Sequence, residues 1–146
     1  MKYVEVLYHL AITFWVGGNA LFTFVLTPLL FKTEARDVAG RIVGTFFPAY
    51  FRWGLACGTL ALVCRLVAKS GRLELAAIIL AVMLATTSFQ AFYVAPKAAA
   101  LKVGIGSFET TPKDHPLRKQ FSRLHGVSAV CNLVVLAGGV VLVVLF

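Results

Sequence analysis

The sequence predicts an all-α protein: a four-transmembrane-helix bundle with an interfacial amphipathic helix between its first and second spans. Three observations predict it. Sixty percent of the 146 residues are hydrophobic and only 14% charged, whereas a soluble domain carries about a quarter charged residues. The apolar residues fall into four long blocks, and about 20 such residues suffice to cross a bilayer. Lys and Arg sit almost wholly between those blocks, where they set membrane topology. The formal net charge of +8 is therefore read as topology. No basic stripe interleaves with exposed aromatics, so the expected partner is the lipid bilayer and not nucleic acid. One domain spanning residues 1–146 is expected.

The elements follow in order. The first block runs from about Val4 to Leu30. It is too long for a signal-peptide core and no A-x-A pattern follows it, so it is expected to stay as a helix. The second runs from about Phe47 to Val67, with Pro48 near its first turn, a position proline tolerates. KSGR at 69–72 reads as a short turn. The third block runs from about Leu73 to Pro96. The fourth begins amphipathically near His115, with Asp114 as N-cap and Pro116 just inside, enters the apolar layer near Leu124 and ends at Phe146. Lipid demands helices here, because each segment must satisfy its own backbone. Between the first two blocks, KTEARDVAGRIVGTFF places Ala35, Val38, Ile42 and Phe46 on one helical face with Lys32, Arg36 and Arg41 off it. That is the pattern of a helix lying on an anionic leaflet.

Four spans put both termini on one side. That side holds Lys2, Arg65, Lys69 and Arg72. The side of the two long loops holds Lys32, Arg36, Arg41, Arg52, Lys97, Lys102, Lys113, Arg118, Lys119 and Arg123. The positive-inside rule places those loops in the cytoplasm and the termini outside an inner (plasma) membrane.

Polar residues recur at helical spacing within the apolar blocks. The first helix aligns His9, Ile12, Val16, Asn19 and Thr23; the second Tyr50, Trp53, Cys57 and Cys64. The third aligns Met83, Thr86, Gln90, Tyr93 and Lys97; the fourth Ser122, His125, Ser128 and Asn132. Polar groups avoid lipid, so the four faces are expected to converge on a polar-lined centre. Along the axis, Thr23, Gln90, Tyr93, His125 and Ser128 fall in the half nearer the long loops. Asn19, Cys57 and Asn132 fall mid-membrane, and His9 in the outer half. Glycine pairs Gly54/Gly58, Gly17/Gly18 and Gly138/Gly139 mark close helix contacts, within one chain or across a homo-oligomer.

Each candidate has a functional and a structural reading. His125, beside Gln90 and Tyr93, is a ligand or proton carrier, or an interfacial histidine bonded to a hydroxyl. His9 is an axial ligand for haem or a metal, or a cap on the outer end of the bundle. Asn19, Gln90 and Asn132 line a pathway, or join helices by hydrogen bonds of about 1 kcal/mol each. Cys57, Cys64 and Cys131 lie inside apolar blocks and read as packing residues. No nucleophile elbow, P-loop, H-E-x-x-H or C-x-x-C occurs, so no hydrolase is expected. With methionine only at positions 1 and 83, a thioether copper pathway has little support.

Three stretches, HLAITFWVGGNALF (9–22), TFFPAYF (45–51) and RLHGVSAVCNL (123–133), resemble the four-helix family of unknown function that includes transmembrane protein 205. The F-P-x-Y-F and H-G-x-S-x-x-x-N stretches carry most of the likeness, through Phe47, Pro48, Tyr50, Phe51, His125, Gly126, Ser128 and Asn132. The resemblance implies an integral membrane protein, with export or trafficking as the hinted role and no catalytic residues. His9, Trp15, Gly17 and Gly18 are also similar to the first helix of the copper-resistance D and HemJ-type families. The HemJ likeness implies haem b at such a histidine. The expected function is thus non-enzymatic binding or transport of a small solute or metal-type species, lined by His125, Ser128, Asn132, Asn19, Gln90 and Tyr93. The alternatives are a haem b redox protein using His9 or His125, or an accessory subunit of a larger membrane complex. A homo-oligomer or partner membrane protein is expected.

Overall fold

The computed structural model describes residues 2–68 and 73–145. The turn expected at 69–72, with Lys69 and Arg72, lies outside the described residues. Four helices account for nearly all of the rest: α1 (Lys2–Thr33), α2 (Arg36–Ala68), α3 (Leu73–Ile105) and α4 (Pro116–Leu145). Each is long and apolar enough to cross a membrane. The described residues contain no strand. The helices pack as a ring in chain order, α1 against α2, α2 against α3, α3 against α4, and α4 back against α1.

Two prolines shape the bundle. Pro28 in α1 and Pro96 in α3 lack the N–H that a regular helix needs. In each case the preceding turn widens to a π-bulge, Phe22–Leu26 and Gln90–Val94. The residue just before each proline closes the bulge, Thr27 N–H to Phe22 O and Ala95 N–H to Gln90 O. The local sequences match as FTFVLTP and QAFYVAP. α1 and α3 run in the same direction, so the molecule consists of two like helical hairpins, each with a bulged first helix.

The first loop differs from the sequence expectation. The amphipathic stretch is helical, but it forms the opening turns of α2 and is not set apart from it; only Glu34 and Ala35 break the helix between α1 and α2. Its buried face is Ala39 and Val43, and Phe46 is exposed. Pro48 sits inside the continuous helix, where Arg52 Nε donates to the Pro48 carbonyl at 3.1 Å. Gly106, at φ 76°, ends α3 with its N–H on Lys102 O at 3.0 Å.

The half of the bundle near the termini is tightly packed. Ile12, Trp15, Cys57, Ala61, Leu80, Met83, Val135 and Leu142 form its centre. Apolar burial gains little in lipid, so close fit must hold helices together. The glycines supply that fit within the chain. Trp15 of α1 fills a slot in α2, where a Cβ at Gly54 would come within 2.7 Å of Trp15 Nε1 and one at Gly58 would overlap the ring. Reciprocally, Trp53 of α2 covers Gly18 of α1 and donates from Nε1 to Phe14 O at 3.4 Å. Gly138 and Gly139 of α4 receive Met83 and Val16.

Candidate functional site

Midway along the bundle all four helices contribute to one hydrogen-bonded layer. Thr23 Oγ1 donates to Asn19 Oδ1 at 3.1 Å. Asn132 Nδ2 reaches Thr23 Oγ1 at 3.4 Å. Asn132 Oδ1 accepts from Gln90 Nε2 at 3.0 Å and from Tyr50 OH, across the diagonal of the ring, at 3.4 Å. Gln90 Nε2 also contacts Ser128 O and Oγ, both at 3.1 Å. Asn19 and Gln90 are among the most buried polar residues, at 2% and 1% exposure. Four of the sequence-selected residues, Asn19, Gln90, Ser128 and Asn132, therefore meet. Both bulges flank this layer: Gln90 opens the one in α3, and Thr23 lies inside the one in α1.

The other three selected residues lie elsewhere. Tyr93 is half exposed, stacked on Phe89 and hydrogen-bonded to Lys97 Nζ at 3.1 Å. The buried face of α3 runs Leu80, Met83, Thr87, Gln90 and Val94 at ordinary helical spacing, and Tyr93 falls one position off it. His9 is exposed, and its neighbour Tyr8 takes the buried face, with the rings edge to face at 5.1 Å. His125 is also exposed, and its ring stacks on Phe121 with 6.4 Å between centroids.

On the long-loop side of the polar layer the helices part. A cleft of about 780 Å³ opens between α2, α3 and α4. Phe47, Phe51, Leu55, Phe92 and Leu124 give it apolar walls. Its ionisable lining is Arg41, Arg52, Lys102 and His125, without a carboxylate. Ser128 belongs both to this lining and to the polar layer, so the cleft ends against the layer. Lys102 Nζ donates to Gly40 O at 2.9 Å and ties α3 to the start of α2.

A second cavity, of about 340 Å³, adjoins the first. Arg36, Lys113, Arg118, Ser122 and His125 supply its polar lining, with Phe108 and Phe121. The loop after α3 builds it. Asp37 accepts the Phe108 N–H at 2.7 Å and the Ser107 hydroxyl. Arg118, almost fully buried, donates from Nη1 to Phe108 O at 3.0 Å and to Thr111 O. Composition had placed these cations only as topology signals. The available sign was spacing, since Arg118, Phe121, Ser122 and His125 share one face of α4.

No group of three His, Cys, Asp or Glu side chains that could hold a metal ion occurs among the described residues. A haem needs an apolar slot beside its axial ligand. His9 lines neither cavity, whereas His125 lines both, with one ring face on Phe121. By helix rise the two histidines stand on the order of 30 Å apart along the bundle. The two histidines therefore cannot ligate one haem together.

The fold and the layered interior define a multi-pass, four-helix membrane protein. Within that class, the chain belongs to a family described as Domain of unknown function (DUF4149), whose model matches residues 10–107. It is similar to an uncharacterized protein of Aquifex aeolicus (strain VF5), 34% identical over 137 residues and covering 92% of each chain. No solved structure matches.

Proposed function

We propose that the protein binds a small amphiphilic solute drawn from the bilayer, in the cleft between α2, α3 and α4, without catalysing a reaction on it. One observation carries this reading. The cleft is a cavity of about 780 Å³ with aromatic walls and cationic, carboxylate-free polar lining. Binding sites are concave and mostly apolar, with a few polar groups that fix orientation. The polar layer forms the inner end of the site. Its amides are engaged with one another, so passage of solute to the other half requires this layer to open.

The finer placement belongs to the same proposal. The count of Lys and Arg puts the cleft and long loops on the cytoplasmic side of an inner membrane. A phosphatase fused after Phe146 is then active, and a fluorescent protein fused there is dark. The kinship to transmembrane protein 205 is also proposed. It is supported by Tyr50, Ser128 and Asn132, which its two most specific stretches contribute to one layer. Self-association or a partner membrane protein would use the lipid-facing surfaces, since Gly54, Gly58, Gly138 and Gly139 are filled from within.

Gly44→Trp tests the binding role. Gly44 lines the cleft, and a Cβ there meets only the flexible end of Lys102 at 3.4 Å. In native mass spectra of protein taken gently from its own membrane, a bound small molecule is expected on the wild type and is lost in Gly44→Trp. Equal retention by both proteins rules the cleft out as the site.

A further inference from the structure

The smaller cavity gives the solute a chemical class. We infer that it holds the phosphate headgroup of a membrane lipid whose acyl chain lies in the adjoining cleft; this rests on the binding reading above. Arg36, Lys113, Arg118 and His125 line the smaller cavity together with the Ser122 hydroxyl, and no carboxylate lines it. Asp37, which accepts from Ser107 and Phe108 outside the lining, is close enough to Arg118 to offset one charge and leaves Arg36 and Lys113 to be balanced. The guanidinium groups of Arg36 and Arg118 both lie against the ring of Phe108, at 5.9 and 5.3 Å from its centroid. Like charges gathered at a low-dielectric boundary repel, and an anion between them relieves that repulsion. Arg118 is held rigid by its two backbone acceptors on the loop, so its fork is pre-organised for phosphate oxygens. The volume, about 340 Å³, has room for a phosphate and several waters at about 30 Å³ per water.

Continuity argues for a lipid in preference to a free anion. His125 and Phe121 line both cavities, so one leads into the other. The cleft extends along α2 from Gly40 to Leu55, roughly 20 Å at about 1.5 Å per residue. One leaflet of hydrocarbon is about 15 Å deep, half of about 30 Å. The cleft therefore starts at the basic loops and ends near mid-membrane at Ser128, which is the extent of one lipid in one leaflet.

The test uses the whole protein in a neutral detergent and three probes: dioleoyl phosphatidic acid, dioleoylglycerol and inorganic phosphate. Arg36 and Lys113 are exposed, and it is Arg118 that donates to the loop carbonyls, so Arg36→Gln/Lys113→Gln removes charge while keeping the loop. Phosphatidic acid is expected to bind at one per chain, about tenfold or more tighter than dioleoylglycerol, and the double variant to lose that margin. Gly44→Trp is expected to weaken both lipids. Equal binding of the two lipids, unchanged in the double variant, overturns the headgroup assignment and leaves the cleft reading standing. Millimolar phosphate binding as tightly as the lipid overturns the continuity of the two cavities. Lipid binding indifferent to Gly44→Trp overturns both readings.

Discussion

The half of the bundle near the termini closes on itself, while the half near the long loops opens. The same four helices make both. In the closed half, a tryptophan, a methionine and branched aliphatic residues fit against glycine and alanine, and neither of the two cavities described above is lined from there. In the open half, bulges and prolines in α1 and α3 interrupt the regular register, and cationic side chains stand where packing residues would be. The hydrogen-bonded layer from Asn19 to Ser128 separates the two. The comparison teaches that close packing and open volume are divided between the two halves of one bundle, so that changes to either can be made separately.

Gly58→Leu breaks the closed half most strongly. Its Cβ alone overlaps Trp15 and Leu84, and overpacking of this kind costs about 3 kcal/mol. A large drop in the denaturant midpoint for unfolding in mixed micelles is expected; a midpoint like that of the wild type would mean the slot is not closed. Next comes the boundary. Asn132→Leu strips Gln90, Tyr50 and Thr23 of a shared partner and is expected to cost about 1.5 kcal/mol. Adding Gln90→Leu should cost much less than the sum of the single changes, because neighbours in one network do not add. Strict additivity would show that the layer is not a unit.

The open half should respond differently. Asp37→Ala removes the acceptor of Ser107 and Phe108. The loop at 106–115 is then expected to be cut faster by protease while the unfolding midpoint stays nearly unchanged. A fall in midpoint comparable to that of Gly58→Leu would erase the distinction between the halves. The smallest effects belong to Tyr93→Leu and His9→Ala, which alter exposed residues. Both are expected within about 0.5 kcal/mol of the wild type.

Hydropathy made the four helices legible, because lipid allows little else. Helical spacing also selected Asn19, Gln90, Ser128 and Asn132, since a buried amide must find a partner and the centre is where partners are. Tyr93 shows where spacing fails. From Gln90 a period of 3.6 allows a step of three or of four, and the buried face takes the step of four to Val94. His9 shows a second limit: Tyr8 and His9 compete for one inward position, and the larger aromatic occupies it. The smaller cavity depends on a loop folding back onto α2 through Asp37, a long-range contact that no periodicity carries. Continuity of α2 through Arg36–Phe46 was hidden by Pro48, which reads as a boundary but is carried inside the helix.

The reciprocal tryptophans equip the molecule with two optical reporters of opposite sensitivity. Trp15 is 3% exposed and Trp53 51% exposed, yet they belong to the same α1–α2 contact. Brominated acyl chains in the surrounding lipid quench only the emission they touch, so they darken Trp53 and spare Trp15. The residual fluorescence then comes from the glycine slot alone, and its fading during denaturation times the separation of α1 from α2 without any attached dye.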